Sequence, residues 1–129
     1  LNFIKEMENL GIKNTLLSLT NRWFSEEFIK TRLDLVEARL KQVLATNSEV
    51  FINVFNIYAK TEIFSFLSNI IHPTLLLTGE NDLGCSPEHN KKMLKQINKA
   101  KLVVIPKLKH SILIETPKQV TKYMIEFFK

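Results

Sequence analysis

Two side chains in this sequence have the type and the setting for proton-transfer chemistry. Asp82 ends the stretch Gly79-Glu80-Asn81-Asp82, just after the apolar run His72-Pro73-Thr74-Leu75-Leu76-Leu77-Thr78-Gly79. His110 ends Lys107-Leu108-Lys109-His110, just after a second apolar run, Lys101-Leu102-Val103-Val104-Ile105. A carboxylate that accepts a hydrogen bond from one nitrogen of an imidazole fixes its tautomer. It also stabilises the imidazolium formed when the other nitrogen takes a proton from a nucleophile. Taken singly, each residue has a plainer reading: Asn81-Asp82 ahead of Gly84 suits a turn, and a histidine in a lysine-rich loop suits solvent. Their joint placement at the ends of two successive apolar runs favours a site.

The remaining reactive side chains form no recognisable pattern. Cys85, the one thiol, lies three residues after Asp82. As a nucleophile it would need a lowered pKa, and neither a helix start nor a cation is evident beside it in sequence. His72 and His89 are too scattered to suggest a metal. No zinc-ligand spacing, phosphate-binding loop or dinucleotide fingerprint is present, so neither metal nor cofactor is expected.

The elements that must position Asp82 and His110 follow from the punctuation of the chain. Residues 12–72 contain neither proline nor glycine, whereas Pro73, Gly79, Gly84, Pro87, Pro106 and Pro117 divide the remainder. The unbroken half predicts helices. Phe3, Ile4, Met7 and Leu10 share one helical face that ends at Gly11, and a second helix covers about 12–19. Ser25 is placed to cap a helix whose first turn holds Glu26 and Glu27, with an apolar stripe through Phe28, Ile29, Leu33, Val36, Leu40, Val43 and Leu44 and a break near Asp34. Ser48 would cap a further helix with Val50, Phe51, Val54, Phe55 and Tyr58 on one face. Thr61-Glu62 would start a short one through Leu67.

The punctuated half alternates. A buried strand after Pro73 is closed by Gly79, and Ser86-Pro87-Glu88 opens a helix that buries Met93, Leu94 and Ile97. A second buried strand runs over 101–105. Thr116-Pro117-Lys118-Gln119 then forms a capping-box pattern for a last helix, with Val120, Tyr123, Met124 and Phe127 inward. Strand–helix–strand–helix implies two parallel strands joined by a right-handed crossover. Both following loops then leave the same sheet edge from strands about 4.8 Å apart. That topology brings Asp82 and His110 within hydrogen-bonding reach.

Composition limits the alternatives. At 129 residues, 45% hydrophobic and 24% charged, the chain fits an ordered globular domain and not a disordered one. Its apolar runs fall far short of the roughly 18 residues a membrane span needs. The first residues, beginning at Leu1, lack the order of a signal peptide, and a single cysteine cannot form an internal disulfide. A cytoplasmic setting is therefore expected. The net charge is +5 with a pI near 9.4, but the lysines are spread along the whole chain. The densest group, Lys91, Lys92, Lys95 and Lys99, has the spacing of one solvated helix face. Neither nucleic acid nor membrane is an expected partner.

The segment 70–82, Ile70-Ile71-His72-Pro73-Thr74-Leu75-Leu76-Leu77-Thr78-Gly79-Glu80-Asn81-Asp82, resembles the late strand and acid loop of α/β-hydrolase-fold enzymes. Residues 101–105, His110, Glu115-Thr116-Pro117 and Phe127-Phe128 resemble their final strand, histidine loop and closing helix. Asn21-Arg22-Trp23-Phe24-Ser25-Glu26-Glu27-Phe28 is similar to a cap segment of 3-oxoadipate enol-lactonases and their relatives. The resemblance implies an α/β fold with a helical cap over residues 1–69 and the C-terminal strand–helix–strand–helix part of the core over 70–129. It implies that Asp82 is the triad acid and His110 the general base, with Trp23, Phe24 and Phe28 walling an apolar substrate pocket. Where the family usually carries glycine before the histidine, this chain has Lys109. The nucleophile elbow G-x-S-x-G is missing, since Gly11, Gly79 and Gly84 flank no serine in that way. In the family the elbow and the oxyanion loop belong to the half of the core that precedes these segments.

The resulting expectation is part of a serine-type hydrolase of a small apolar carboxylic ester or lactone, inactive on its own. Its partner would be the N-terminal half of the fold, and the open sheet edge would favour self-association. The alternative expectation is a non-catalytic hydrolase-like module that binds a small ligand.

Overall fold

The computed structural model describes residues 18–129. The expected helix over 3–11 with its Gly11 cap, and all but the last two residues of that over 12–19, lie outside the described residues. The chain divides into two compact units, one holding residues 18–21 and Glu26–Glu62, the other Arg22–Ser25 and Ile63–Lys129. Among the described residues no helix is long and apolar enough to cross a membrane.

The first unit is helical. Residues 18–23 (α1) begin in it, and α2 (Glu26–Thr31), α3 (Leu33–Leu44) and α4 (Ser48–Lys60) follow. The break expected near Asp34 falls at Arg32, whose guanidinium pairs with both Asp34 carboxylate oxygens at 3.0 and 2.9 Å. Leu19, Val36 and Val43 are buried. The cap of α4 is Asn47 and not Ser48: Asn47 Oδ1 accepts the Glu49 and Val50 amides at 2.9 and 3.2 Å. Either residue type can cap a helix, so sequence alone leaves the choice to the backbone. On α4 the Phe51 and Phe55 rings pack at 4.9 Å, whereas Val50, Val54 and Tyr58 stay exposed despite sharing the expected stripe.

The second unit carries the parallel sheet. After a 3₁₀ helix (Phe64–Asn69), which replaces the helix expected to begin at Thr61, come β1 (Thr74–Gly79), α5 (Pro87–Gln96), β2 (Ala100–Ile105), a four-residue helix α6 (Ile112–Glu115) and α7 (Pro117–Phe128). β1 and β2 pair in parallel with Thr74 opposite Ala100 and Gly79 opposite Ile105. Helix α5 packs on both strands and α7 on β1. Phe24, Leu67, Leu76, Ile97, Ile105 and Val120 form the buried apolar centre of this unit.

The predicted helix starts hold unevenly. Ser86 caps α5 through the His89 amide at 3.3 Å, with Pro87 in the first turn. Thr116 makes no side-chain cap on α7; its hydroxyl donates to Gln119 Oε1 at 3.3 Å, so the capping box does not form. Ser25 stands immediately before α2, but its amide and hydroxyl both donate to the Glu115 carboxylate. Met124 is exposed, while Val120 is buried and Tyr123 and Phe127 are half-buried.

Candidate active site

Parallel pairing in this register makes the two loops that follow β1 and β2 neighbours. Past the last strand pair the chains stay joined: Glu80 N–H donates to the Ile105 carbonyl at 2.9 Å and Asn81 N–H to the Leu108 carbonyl at 2.8 Å. Lys107 N–H donates to Glu80 Oε2 at 2.8 Å. Gly79 is where the loops come closest. A Cβ at this position would sit 2.1 Å from the Lys109 carbonyl oxygen and 2.5 Å from that of Leu108. The approach is backbone on backbone, so only glycine fits.

Asp82 is buried, at 5% exposure, and its oxygens divide their work. Oδ1 accepts the amides of Gly84 and Cys85 at 2.8 and 2.9 Å. Oδ2 faces His110 Nδ1 at 2.8 Å. With the proton on Nδ1, Nε2 is left as the basic nitrogen. The His110 side chain is about half exposed, at 48%. Its loop is held from the other side as well, because the next residue, Ser111, donates its amide to the Trp23 carbonyl at 2.8 Å.

The family's glycine before the histidine is not needed for this geometry. Among the described residues the one non-glycine with positive φ is Lys107, at 64°. The left-handed turn therefore sits three residues before His110, and Lys109 keeps an ordinary backbone.

Sequence reasoning missed three contributors. Cys85 joins the pair: the sulfur, an Asp82 carboxylate oxygen and a His110 ring nitrogen all lie within 4.8 Å of one another. Thr78 and Asn90, both buried, clamp the loop that carries them. Thr78 Oγ1 donates to the Cys85 carbonyl at 2.6 Å, and Asn90 Nδ2 donates to the Cys85 and Ser86 carbonyls at 2.9 and 3.0 Å. A signal for Asn90 was present, since it falls on the same helical stripe as Met93, Leu94 and Ile97. Cys85 and Asp82 both favour the imidazolium, the sulfur more strongly. Partial burial opposes them, and the net effect pushes His110 up to about 9.

The other residues singled out lie elsewhere. His72 and His89 are exposed and outside this cluster. Phe24 is wholly buried, whereas Trp23 is half-buried in the same unit and Phe28 half-buried in the helical one.

No protein-family model and no curated protein matches this sequence. Solved structures do match it. An enol-lactonase from Burkholderia xenovorans superposes with a TM-score of 0.92 at 17% identity, covering 98% of this chain and 48% of that one. An esterase from Exiguobacterium antarcticum gives 0.87 at 17% identity, over 98% and 46% of the two chains. A thermophilic esterase from Thermogutta terrifontis gives 0.84 at 21% identity, over 98% and 47%. The chain thus spans about half the length of the structures it matches. At such identities the likeness speaks for architecture alone, and the architecture is that of the C-terminal part of the α/β-hydrolase fold.

Proposed function

We propose that this chain contributes the acid and the histidine of a serine-type hydrolase acting on a carboxylic ester or lactone. The observation that carries the reading is the 2.8 Å bond between Asp82 Oδ2 and His110 Nδ1 at the rim shared by two parallel strands. In this reading the serine belongs to polypeptide outside these 129 residues. In molecules whose imidazole is neutral, a fraction that grows as pH approaches 9, His110 Nε2 takes the serine proton as Oγ bonds to the substrate carbonyl carbon. His110 then returns that proton to the departing alkoxide, leaving an acyl-serine. Water, deprotonated by the same nitrogen, cleaves the acyl-serine and restores the hydroxyl. Asp82 holds the ring in register throughout, and the backbone amides that steady the oxyanion come from the serine's segment.

A small lactone of the 3-oxoadipate enol-lactone type is the substrate we favour, on the resemblance of residues 21–28 to a cap segment of the enol-lactonases, one of which shares this architecture. Of the three aromatic residues proposed to wall the pocket, Trp23 has the strongest support, since its carbonyl anchors the residue after His110. The complete burial of Phe24 fits a packing role, and Phe28 stays a proposal on sequence likeness. A non-catalytic small-ligand module is the second reading: a G-x-S-x-G motif ahead of these residues would favour the enzyme, and its loss the binding module.

The test is hydrolysis of a small p-nitrophenyl ester. The 129-residue chain alone is expected to show no turnover. A longer polypeptide carrying it behind a nucleophile elbow is expected to turn over, with His110→Ala reducing the rate by about 10⁶-fold. Turnover by the 129-residue chain that His110→Ala abolishes would mean that the nucleophile lies within it. An inactive longer polypeptide that still binds the lactone would favour the second reading.

A further inference from the structure

We propose that Asp82, Cys85 and His110 form a binding site for a thiophilic divalent cation of the zinc class, and that the cation competes directly with the acid–histidine bond. The donor set is one thiol sulfur, one imidazole nitrogen and one carboxylate oxygen, all within 4.8 Å of one another. Two donors on one tetrahedral zinc ion, at 2.0–2.3 Å from it, lie roughly 3.3–3.7 Å apart. Closing the set around a cation therefore draws the sulfur in by up to about 1 Å and parts Asp82 Oδ2 and His110 Nδ1, now 2.8 Å apart, by about 0.5 Å. The cysteine side chain can supply that by rotation about one bond, and the half-exposed imidazole by a small tilt.

Two of the three donors stand on a loop already fixed for the purpose. Asp82 Oδ1 is occupied by the Gly84 and Cys85 amides, which leaves Oδ2, bonded only to His110 Nδ1, as the oxygen a cation would take. The Cys85 carbonyl is tied to Thr78 and Asn90. Asp82 and Cys85 would thus form a short chelate, which His110 would close from the loop after β2. A carboxylate and a thiolate would balance the charge of a dication. The exposed side of His110 leaves room for water as a fourth ligand, as in zinc sites that are not fully enclosed. A sulfur donor selects zinc or cadmium over magnesium or calcium, which prefer all-oxygen sets.

Binding releases the thiol proton and displaces the proton from His110 Nδ1, to solvent or to Nε2, and so removes the hydrogen bond between Oδ2 and Nδ1, because cation and proton would share the same donors. The regulatory consequence rests on the hydrolase reading: a cation here would hold the histidine away from its role as base. The binding itself does not rest on it.

Titration of the 129-residue chain with Co²⁺, followed by absorption, tests the site without any turnover. One equivalent is expected to give a thiolate-to-cobalt charge-transfer band together with the d–d bands of a tetrahedral site. Zn²⁺ should displace the cobalt, and Mg²⁺ should not. Cys85→Ser, which replaces one atom and keeps the loop's backbone bonds, is expected to abolish the charge-transfer band. It should also weaken zinc binding by about 100-fold, the upper end of what even outer-shell partners cost. Asp82→Asn and His110→Gln should each weaken it as well. Absence of the band at saturating Co²⁺, or equal zinc affinity in the Cys85→Ser chain, would overturn the proposal and leave the ester assay unaffected.

Discussion

Asp82 has both oxygens committed, Oδ1 to two loop amides and Oδ2 to His110, so a single buried carboxylate fixes the loop and aims the imidazole. The proton on His110 is held by the Cys85 sulfur first and the Asp82 carboxylate second, to about 9. An ordinary histidine titrates near 6.5. The folded chain therefore keeps this proton between pH values of about 6.5 and 9, where the unfolded chain has released it. Its contribution to stability is fully present below about 6.5 and is lost as pH rises through 9. NMR titration of metal-free protein is expected to give a His110 midpoint near 9, with Cys85→Ser bringing it down. A midpoint near 6.5 in both proteins would contradict this electrostatic account. The Asp82–His110 pairing was legible in the sequence, because any parallel crossover carries the two strand ends to one rim. The approach of Cys85 was not. It depends on Asp82 Oδ1 drawing the amides of residues 84 and 85 back over itself, and that bond pattern leaves no periodic trace.

The elements show the same division between pattern and detail. Strand identity, parallel sense and the crossover helix all follow from apolar runs bounded by proline and glycine. Helix starts follow less well, because Asn47 and Ser48 are both competent caps and because Thr116 spends its hydroxyl on Gln119. Two element-scale predictions concern how β1 and α5 hold the site. Gly79→Ala drives a methyl group into the Lys109 carbonyl, so the end of β1 and the histidine loop must part. The expected cost is about 1–3 kcal/mol in denaturant unfolding, since a backbone cannot yield as a flexible side chain does. Asn90→Ala removes two hydrogen bonds to the loop from a buried position on α5. It should cost about 1–3 kcal/mol and raise hydrogen exchange at the Gly84 and Cys85 amides. Unchanged exchange at those amides would mean that α5 does not hold the loop.

For the molecule as a whole, the described sheet has two parallel strands, fewer than parallel sheets usually need to bury both faces. That fits a chain spanning about half of the esterases and enol-lactonase it superposes on. The overall charge of +5 adds no function to this picture, because the lysines are dispersed and form no groove or stripe in sequence. DNA binding, if measured by a salt titration, is expected to be weak and lost by physiological salt.

The most direct measurement of the central pairing is the ¹H–¹⁵N NMR signal of the His110 ring in metal-free protein. A hydrogen bond of 2.8 Å to a buried carboxylate should protect the Nδ1 proton from solvent and move its resonance far downfield. The account predicts such a resonance in the 129-residue chain and its loss in Asp82→Asn, with the dispersed amide spectrum of a folded protein retained. A His110 ring signal at ordinary solvent-exchanging positions, the same in both proteins, would contradict it.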